Sequence, residues 1–240
     1  MKKKYLDVVY GEKQNLLANL PYAKKLANYL FSEKLKLSVN NETEKKPLLL
    51  DLGCGKGLQA LAFSSYFDIS GLDLSLDAKN IFENYDQIID LKTTDFETDI
   101  YPFEDNKFDV IFSKSVIEHI NNTDHFLGEA SRVLKDNGKI IVMCPAWETQ
   151  GKHFYDDYTH VKPFTALGLD AALRAAGFNN VEVVNFYQLP FVWKIPALKI
   201  ICKIISVLPD SFKWRGGKRN NPRKFIRFSK ETMLLGIASR

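Results

Sequence analysis

The segment KPLLLDLGCGKG, residues 46–57, constrains this chain more than any other. An apolar run of strand length, Leu48 to Leu52, breaks into glycines at 53, 55 and 57 and passes directly into LQALAFSSYF, which reads as a helix. Glycines at a strand-to-helix turn remove the side chains that would keep a ligand away from the backbone amides. The spacing is GxGxG and not GxGxxG, so the dinucleotide fingerprint is not met.

The rest of the chain continues the alternation. The apolar segments DISGLDLS, IIDLKTTDF, KFDVIFSKS and GKIIVMCP are separated by helical or loop stretches. TALGLDAALRAAGF has a Thr165 N-cap and a Gly177 stop, and VEVVNFYQL and ETMLLGIASR read as two last strands. Short buried strands alternating with helices predict an α/β fold, a parallel sheet with helices on both faces. Residues 13–37 read as one or two amphipathic helices interrupted near Pro21, and VNNETEKKP as a polar linker. Residues 1–46 are therefore expected to form a helical cap with its linker, and 47–240 the main domain. Asp73 ends the second strand, sixteen residues after Gly57, where an acid accepts hydrogen bonds from ribose hydroxyls. Asp95 and Phe96 end the third, offering a carboxylate for an adenine amino group and an apolar face for its ring. Three successive strands thus end in residues suited to one adenosine ligand.

Composition narrows the partners. A hydrophobic content of 45% over 240 residues is ordinary for a globular core. The basic start MKKKYLDVVYGEKQ lacks the apolar run of a secretory signal, so a cytoplasmic protein is expected. Cys54, Cys144 and Cys202 lie far apart with no CxxC pair and fit free thiols. The net charge of +4 is segregated: residues 190–240 carry 12 Lys+Arg against 2 Asp+Glu, and residues 1–189 carry 21 against 27. A basic end of this kind points to an anionic partner, whether nucleic acid, an anionic membrane surface or a phosphate-bearing substrate.

With these motifs in order, the chain resembles the class I S-adenosylmethionine-dependent methyltransferases, in particular those of type 11. The resemblance rests on DLGCGKG at 51–57, GLDLS at 71–75, TDF at 94–96, FDVIFSKSVIEHI at 108–120 and LKDNGKIIVMCP at 134–145. It covers roughly residues 47–187, and MLLGIASR looks like the family's last strand. It implies a Rossmann-like, doubly wound seven-stranded sheet of order 3-2-1-4-5-7-6 with strand 7 antiparallel, and S-adenosyl-L-methionine as cofactor. By the same resemblance Asp51, Gly53 and Gly55 line the methionine end of the cofactor, Asp73 holds the ribose, and Asp95 and Phe96 contact the adenine. Ser113, near the end of the fourth strand, is counted with them.

The fourth strand bears on the acceptor. Methyltransferases of base amino groups or glutamine amides usually carry an Asn/Asp-Pro-Pro-aromatic tetrapeptide here, and FSKSVIEHI lacks it, so an oxygen acceptor is expected. Transfer to oxygen needs that atom held in line with the methyl group and a base for its proton. His119 is a candidate base, being mostly neutral near pH 7 at an ordinary pKa of about 6.5. Glu-His at this place is also common in the resembling family across differing acceptors, which leaves a structural or cofactor-shell role open.

HFYDDYTH, residues 153–160, lies in a connection of about nineteen residues leaving the carboxyl edge of the sheet, where long loops act as lids or binding loops. A helical conformation would place His153, Asp156, Asp157 and His160 on one face, a set open to an acceptor-base role, a metal or a solvated loop. No resident metal is expected, because Lys152 and Lys162 flank the set and methyl transfer needs no Lewis acid. YDDYTHVKPFT also resembles a stretch of bacterial methyltransferases linked to surface polysaccharide synthesis, which favours a glycan hydroxyl.

Residues 189–225 form a basic and apolar insert between the last two strands. Ala197 to Leu208 reads as a helix with Lys199, Lys203 and Ser206 on a narrow face; it reaches roughly 18 Å, short of a hydrocarbon core of roughly 30 Å. It either lies in a membrane interface or buries itself against its own domain or a second subunit, as in a homodimer, while KWRGGKRNNPRKFIRF suits RNA phosphates as well. The expectation is methyl transfer to a hydroxyl of a glycan or lipid-linked intermediate at the inner membrane face. The N-terminal helices and the 146–164 loop would close over the acceptor. An RNA methyltransferase and a cofactor-binding scaffold without turnover are the alternatives.

Overall fold

The computed structural model describes residues 16–36, 46–86, 88–212 and 223–240. One sheet holds β1 Leu48–Leu52, β2 Asp68–Asp73, β3 Ile88–Thr93, β4 Phe108–Lys114, β5 Leu134–Pro145, β6 Asn179–Phe186 and β7 Met233–Ser239. Its order is β3-β2-β1-β4-β5-β7-β6, with β7 antiparallel to both neighbours and the other pairs parallel, as the resemblance implies. The helices are α1 Leu20–Tyr29, α2 Leu58–Phe63, α3 Lys79–Phe82, α4 Thr123–Val133, α5 Trp147–Gln150, α6 Ala166–Ala175, α7 Pro190–Lys194, α8 Lys199–Ser206 and α9 Arg223–Lys230.

Strand side chains alternate between the two faces, and that period divides the core. Leu50, Leu52, Ile140 and Val142 pack with Phe126 and Ala130 of α4 and Leu169 and Leu173 of α6. Leu49, Ile141 and Met143 point the other way, into a second cluster with Leu26 of α1 and Phe63 of α2. Helices therefore cover both faces. The α6 boundaries follow the sequence: Thr165 Oγ1 accepts from the Gly168 N–H at 3.0 Å, and Gly177 leaves the helix at φ 87°.

The break expected near Pro21 is the junction between a 3₁₀ turn, Leu16–Asn19, and α1, which starts at Leu20. Pro21 stands in the first turn of α1, where its missing N–H deprives no carbonyl of a partner. The helix widens into a π-helical segment, Leu30–Leu35, and stops at Lys36 with φ 52°. Ala23, Leu26, Ala27, Leu30 and Leu35 are buried in the second cluster, so this part of the predicted cap belongs to the domain's core. The remainder of the cap, with its linker, falls on residues 1–15 and 37–45, outside the described residues.

The insert is anchored at its start. Trp193 of α7 stacks on Phe186 at 5.2 Å, lies 5.4 Å from the Tyr29 ring and donates its indole N–H to the Tyr187 carbonyl at 2.7 Å. The predicted helix is shorter than expected, beginning as a 3₁₀ turn at Pro196–Leu198. It buries Cys202 and leaves Ile200, Ile204 and Val207 exposed at 58%, 66% and 84%. Lys230 of α9 donates to the carbonyls of Ser206 and Leu208 at its end. The most basic part of the insert, residues 213–222, lies outside the described residues. Cys54, Cys144 and Cys202 are free and buried.

Candidate functional site

The glycine turn after β1 is built from left-handed backbone, with φ of 81°, 54° and 79° at Gly53, Gly55 and Gly57. A Cβ on Gly53 would stand 2.1 Å from Val116 Cγ2, so that position admits no side chain. The Gly53 N–H donates to the Leu72 carbonyl at 2.7 Å and the Gly55 N–H to Asp73 Oδ2 at 2.8 Å, latching the turn to the end of β2. Asp73 Oδ1 accepts from the Ser75 N–H at 3.1 Å, which orients the carboxylate and leaves each oxygen a lone pair. Burial raises the Asp73 pKa against the pull of these N–H groups. At the end of β1, burial and then the charge of Asp73 push Asp51 up to about 7.

Asp51 Oδ2, Thr94 Oγ1 and Ser113 Oγ are buried with no hydrogen-bond partner among the described residues. Orphaned polar atoms near the ends of β1, β3 and β4, beside a turn that admits no side chain, fit a polar ligand laid along the carboxyl edge. Asp95 is exposed, its Oδ1 accepting from the Glu97 N–H at 2.9 Å. Phe96 does not offer the open ring face expected of it. It is buried in the main core, edge-on to Tyr101 and Phe126 at 5.8 and 5.6 Å, because the three rings satisfy one another in T-shaped contact.

Beside this edge opens a cavity of about 580 Å³, lined by His119, His153, Asp156, Asp157 and His160, the five predicted catalytic residues. The loop does not achieve this as a helix face. Residues Gly151–Asp156 form a 3₁₀ turn and Asp157 is extended. His160 Nδ1 lies 2.6 Å from the Phe154 carbonyl, and Thr159 Oγ1 donates to Asp157 Oδ1 at 2.7 Å; such local bonds compete with a helix. The loop then docks on the turn after β4, where the Val161 and Lys162 N–H groups both donate to the Glu118 carbonyl, at 2.9 and 3.1 Å. His119 Nδ1 meets the Thr159 carbonyl at 3.2 Å and its hydroxyl at 2.9 Å, and the His119 and His160 rings lie 4.7 Å apart. His153 faces the insert as well: Nδ1 is 3.1 Å from Asp156, and Nε2 is 3.7 Å from Asp210, which pairs with Lys230 at 3.3 Å.

Three further lining residues matter to the electrostatics. Burial pushes Glu118 up to about 8 against the attraction of Lys114. Burial lowers the Lys114 pKa while Glu118 and Asp51 oppose it, so one ammonium links the cavity to the glycine turn. Burial and then the neighbouring His160 lower the pKa of His119. Arg227 reaches the cavity from α9, held by Glu231 at 2.7 Å. Sequence reasoning passed over Glu118 and Lys114 although both stand beside chosen residues in FSKSVIEHI. Nothing in the sequence points to Arg227, which only the fold brings here. None of residues 16–36 lines the cavity.

Fold and site define a Rossmann-like protein with polar atoms unpartnered among the described residues at the carboxyl edge of its sheet and a cavity beside them. Residues 22–183 match the family model described as a methyltransferase domain, and the chain belongs to that family. It is 31% identical over 191 residues to an uncharacterised protein of Methanocaldococcus jannaschii, covering 77% of this chain and 80% of that one. It is 33% identical over 112 residues to the ubiquinone biosynthesis O-methyltransferase of Rickettsia typhi, spanning 46% of this chain and less than half, 45%, of that enzyme. The fold is shared with phosphoethanolamine N-methyltransferase 2 of Haemonchus contortus in complex with S-adenosyl-L-methionine, at a TM-score of 0.63 and 19% identity over 98% of this chain and 59% of that one. The protein is an S-adenosylmethionine-dependent methyltransferase.

Proposed function

We propose that this enzyme methylates a hydroxyl of a glycan or of a lipid-linked intermediate. The observation that carries the reading is the cavity's lining. Lys114, Glu118, Gln150, Asp157, Gln188 and Arg227 set hydrogen-bond donors and acceptors around one space of about 580 Å³, which suits a ring bearing hydroxyls on several sides. Similar proteins include, by name, both an O- and an N-methyltransferase, so the acceptor atom is argued from this lining and from the missing amide-binding tetrapeptide after β4.

When bound, the cofactor supplies an electrophilic methyl group on a sulfonium. Asp73 would hold its ribose hydroxyls, Asp51 and Ser113 its methionine end beside Gly53 and Gly55, and Asp95 with the Phe96 segment its adenine. His119 and His160 would fix the acceptor oxygen on the cavity's inner wall, and His153 and Asp156 would brace the loop against the insert. The exposed isoleucine face of α8, next to the basic end of the chain, supports an acceptor presented at an anionic membrane.

The test is transfer of labelled methyl from S-adenosylmethionine into cell extract, followed by separation into organic-soluble, polysaccharide and RNA fractions. Label is expected in the organic or polysaccharide fraction. Label removed by ribonuclease would overturn this reading in favour of an RNA acceptor gripped by the basic insert.

A further inference from the structure

We propose that Glu118, His119 and His160 form a divalent-cation site whose open position takes an oxygen of the acceptor. The acceptor's part in this rests on the methyl-transfer reading of the same cavity; the cation site itself does not. One ligand atom from each residue lies within 4.8 Å of the other two. Metal–nitrogen and metal–oxygen bonds of about 2.0–2.2 Å need donor separations of roughly 3.4 Å, so the triangle closes on an ion with a contraction of at most about 1.4 Å.

Three independent features say that the cluster is built and not incidental. Glu118 is 1% exposed, and its Oε2 accepts no hydrogen bond among the described residues. A buried carboxyl oxygen without a hydrogen-bond partner is one that a bound cation would satisfy. Lys114 acts on this carboxylate by charge, yet Oε2 is still left without a hydrogen bond.

The second feature is the orientation of the rings. His160 Nδ1 lies 2.6 Å from the Phe154 carbonyl and His119 Nδ1 3.2 Å from the Thr159 carbonyl. A carbonyl only accepts, so each Nδ1 carries the proton and each lone pair sits on Nε2. Metal-binding histidines are oriented in this way by the bond their other nitrogen makes. The third feature is the backbone: the Val161 and Lys162 N–H groups bond the Glu118 carbonyl and hold His160 beside the turn after β4.

Two imidazoles and one carboxylate suit Zn²⁺, Mn²⁺, Co²⁺ or Fe²⁺, whereas Mg²⁺ and Ca²⁺ favour all-oxygen sets. All three residues line the cavity, so the remaining coordination positions face the space where an acceptor would sit. Asp157 borders the same space and adds negative charge to a site that would carry a cation.

The experiment uses the full chain, freed of metal by a chelator and titrated by calorimetry with MnCl₂, CoCl₂, ZnCl₂ and MgCl₂ in the absence of donor and acceptor. One-to-one binding of a transition ion, tighter than Mg²⁺, is expected, with a Co²⁺ visible spectrum of mixed nitrogen and oxygen ligation. Glu118→Gln and His160→Gln should each weaken that binding by about tenfold or more. S-adenosylhomocysteine affinity, measured on the same samples, identifies any variant that has simply lost its fold. No saturable binding of these ions to the wild-type chain below about 1 mM would overturn the site, as would undiminished binding in a folded variant carrying both Glu118→Gln and His160→Gln. Cation binding with all label in RNA would instead keep the site and overturn the glycan or lipid-linked acceptor.

Discussion

Asp51 shows how a buried carboxyl at the carboxyl edge of the sheet opposes stability at the level of one residue. Burial and the charge of Asp73 push its carboxyl from 3.8 up to about 7, so without ligand the folded chain holds this proton more tightly than the unfolded chain does. The stability tied to that proton is fully present below the unfolded pKa, near pH 4, and is lost as pH rises through the folded value near 7. Asp51→Asn keeps the shape and removes the charge. The ligand-free variant is expected to match the wild type near pH 4 and to exceed it at pH 8 by on the order of 2 kcal/mol. Denaturant unfolding at both values checks this, and equal stability at pH 8 would mean that the carboxylate is solvated in the folded chain. The orphaned Oδ2 has the same cause: a buried polar atom with no hydrogen-bond partner among the described residues serves a ligand better than it serves the fold.

Among the elements, the turn from β1 to α2 is the one that tolerates least. Gly53→Ala brings a Cβ against Val116 and strains a φ of 81°, so a loss of about 2–4 kcal/mol is expected together with loss of cofactor binding. Adding Val116→Ala relieves the clash and not the strained φ. The double variant should therefore recover part of the lost stability in thermal unfolding; no recovery would place the cost in the backbone alone. The strands and this turn were legible because apolar runs of strand length and a glycine run are local signals, whereas the sheet order was implied only by the family resemblance those motifs carry. The α6 cap was legible for the same reason. The helix face assigned to residues 153–160 was not, since His160 and Thr159 bond their own loop instead of continuing a helix. Glu118 and His160 meet through backbone bonds between distant segments, which no spacing in the sequence encodes. The break near Pro21 was legible because a proline is tolerated in the first turn of a helix and not in its middle.

Across the whole molecule, charge and apolar surface fall at the same end. Residues 190–240 hold 12 of the 33 basic side chains against 2 acids, and within them α8 exposes Ile200 and Ile204, with Val207 exposed just after it. Among the described residues no helix is long and apolar enough to cross a membrane, and the eight residues of α8 reach only about 12 Å. Contact with a leaflet would therefore lie along its surface, with isoleucines inserted and each nearby Lys or Arg adding on the order of 1 kcal/mol. Cosedimentation with vesicles containing phosphatidylserine or phosphatidylglycerol is expected, with little binding to phosphatidylcholine alone. Raising the salt to about 0.5 M should release most of it, since screening shortens the reach of the basic residues to a few ångströms. Ile204→Glu changes one exposed position and should weaken vesicle binding by about tenfold while leaving cofactor affinity unchanged. If the same substitution instead split a dimer in sedimentation equilibrium and left vesicle binding intact, the isoleucine face would belong to a second copy of the chain, and the acceptor would reach the cavity without a membrane beneath it.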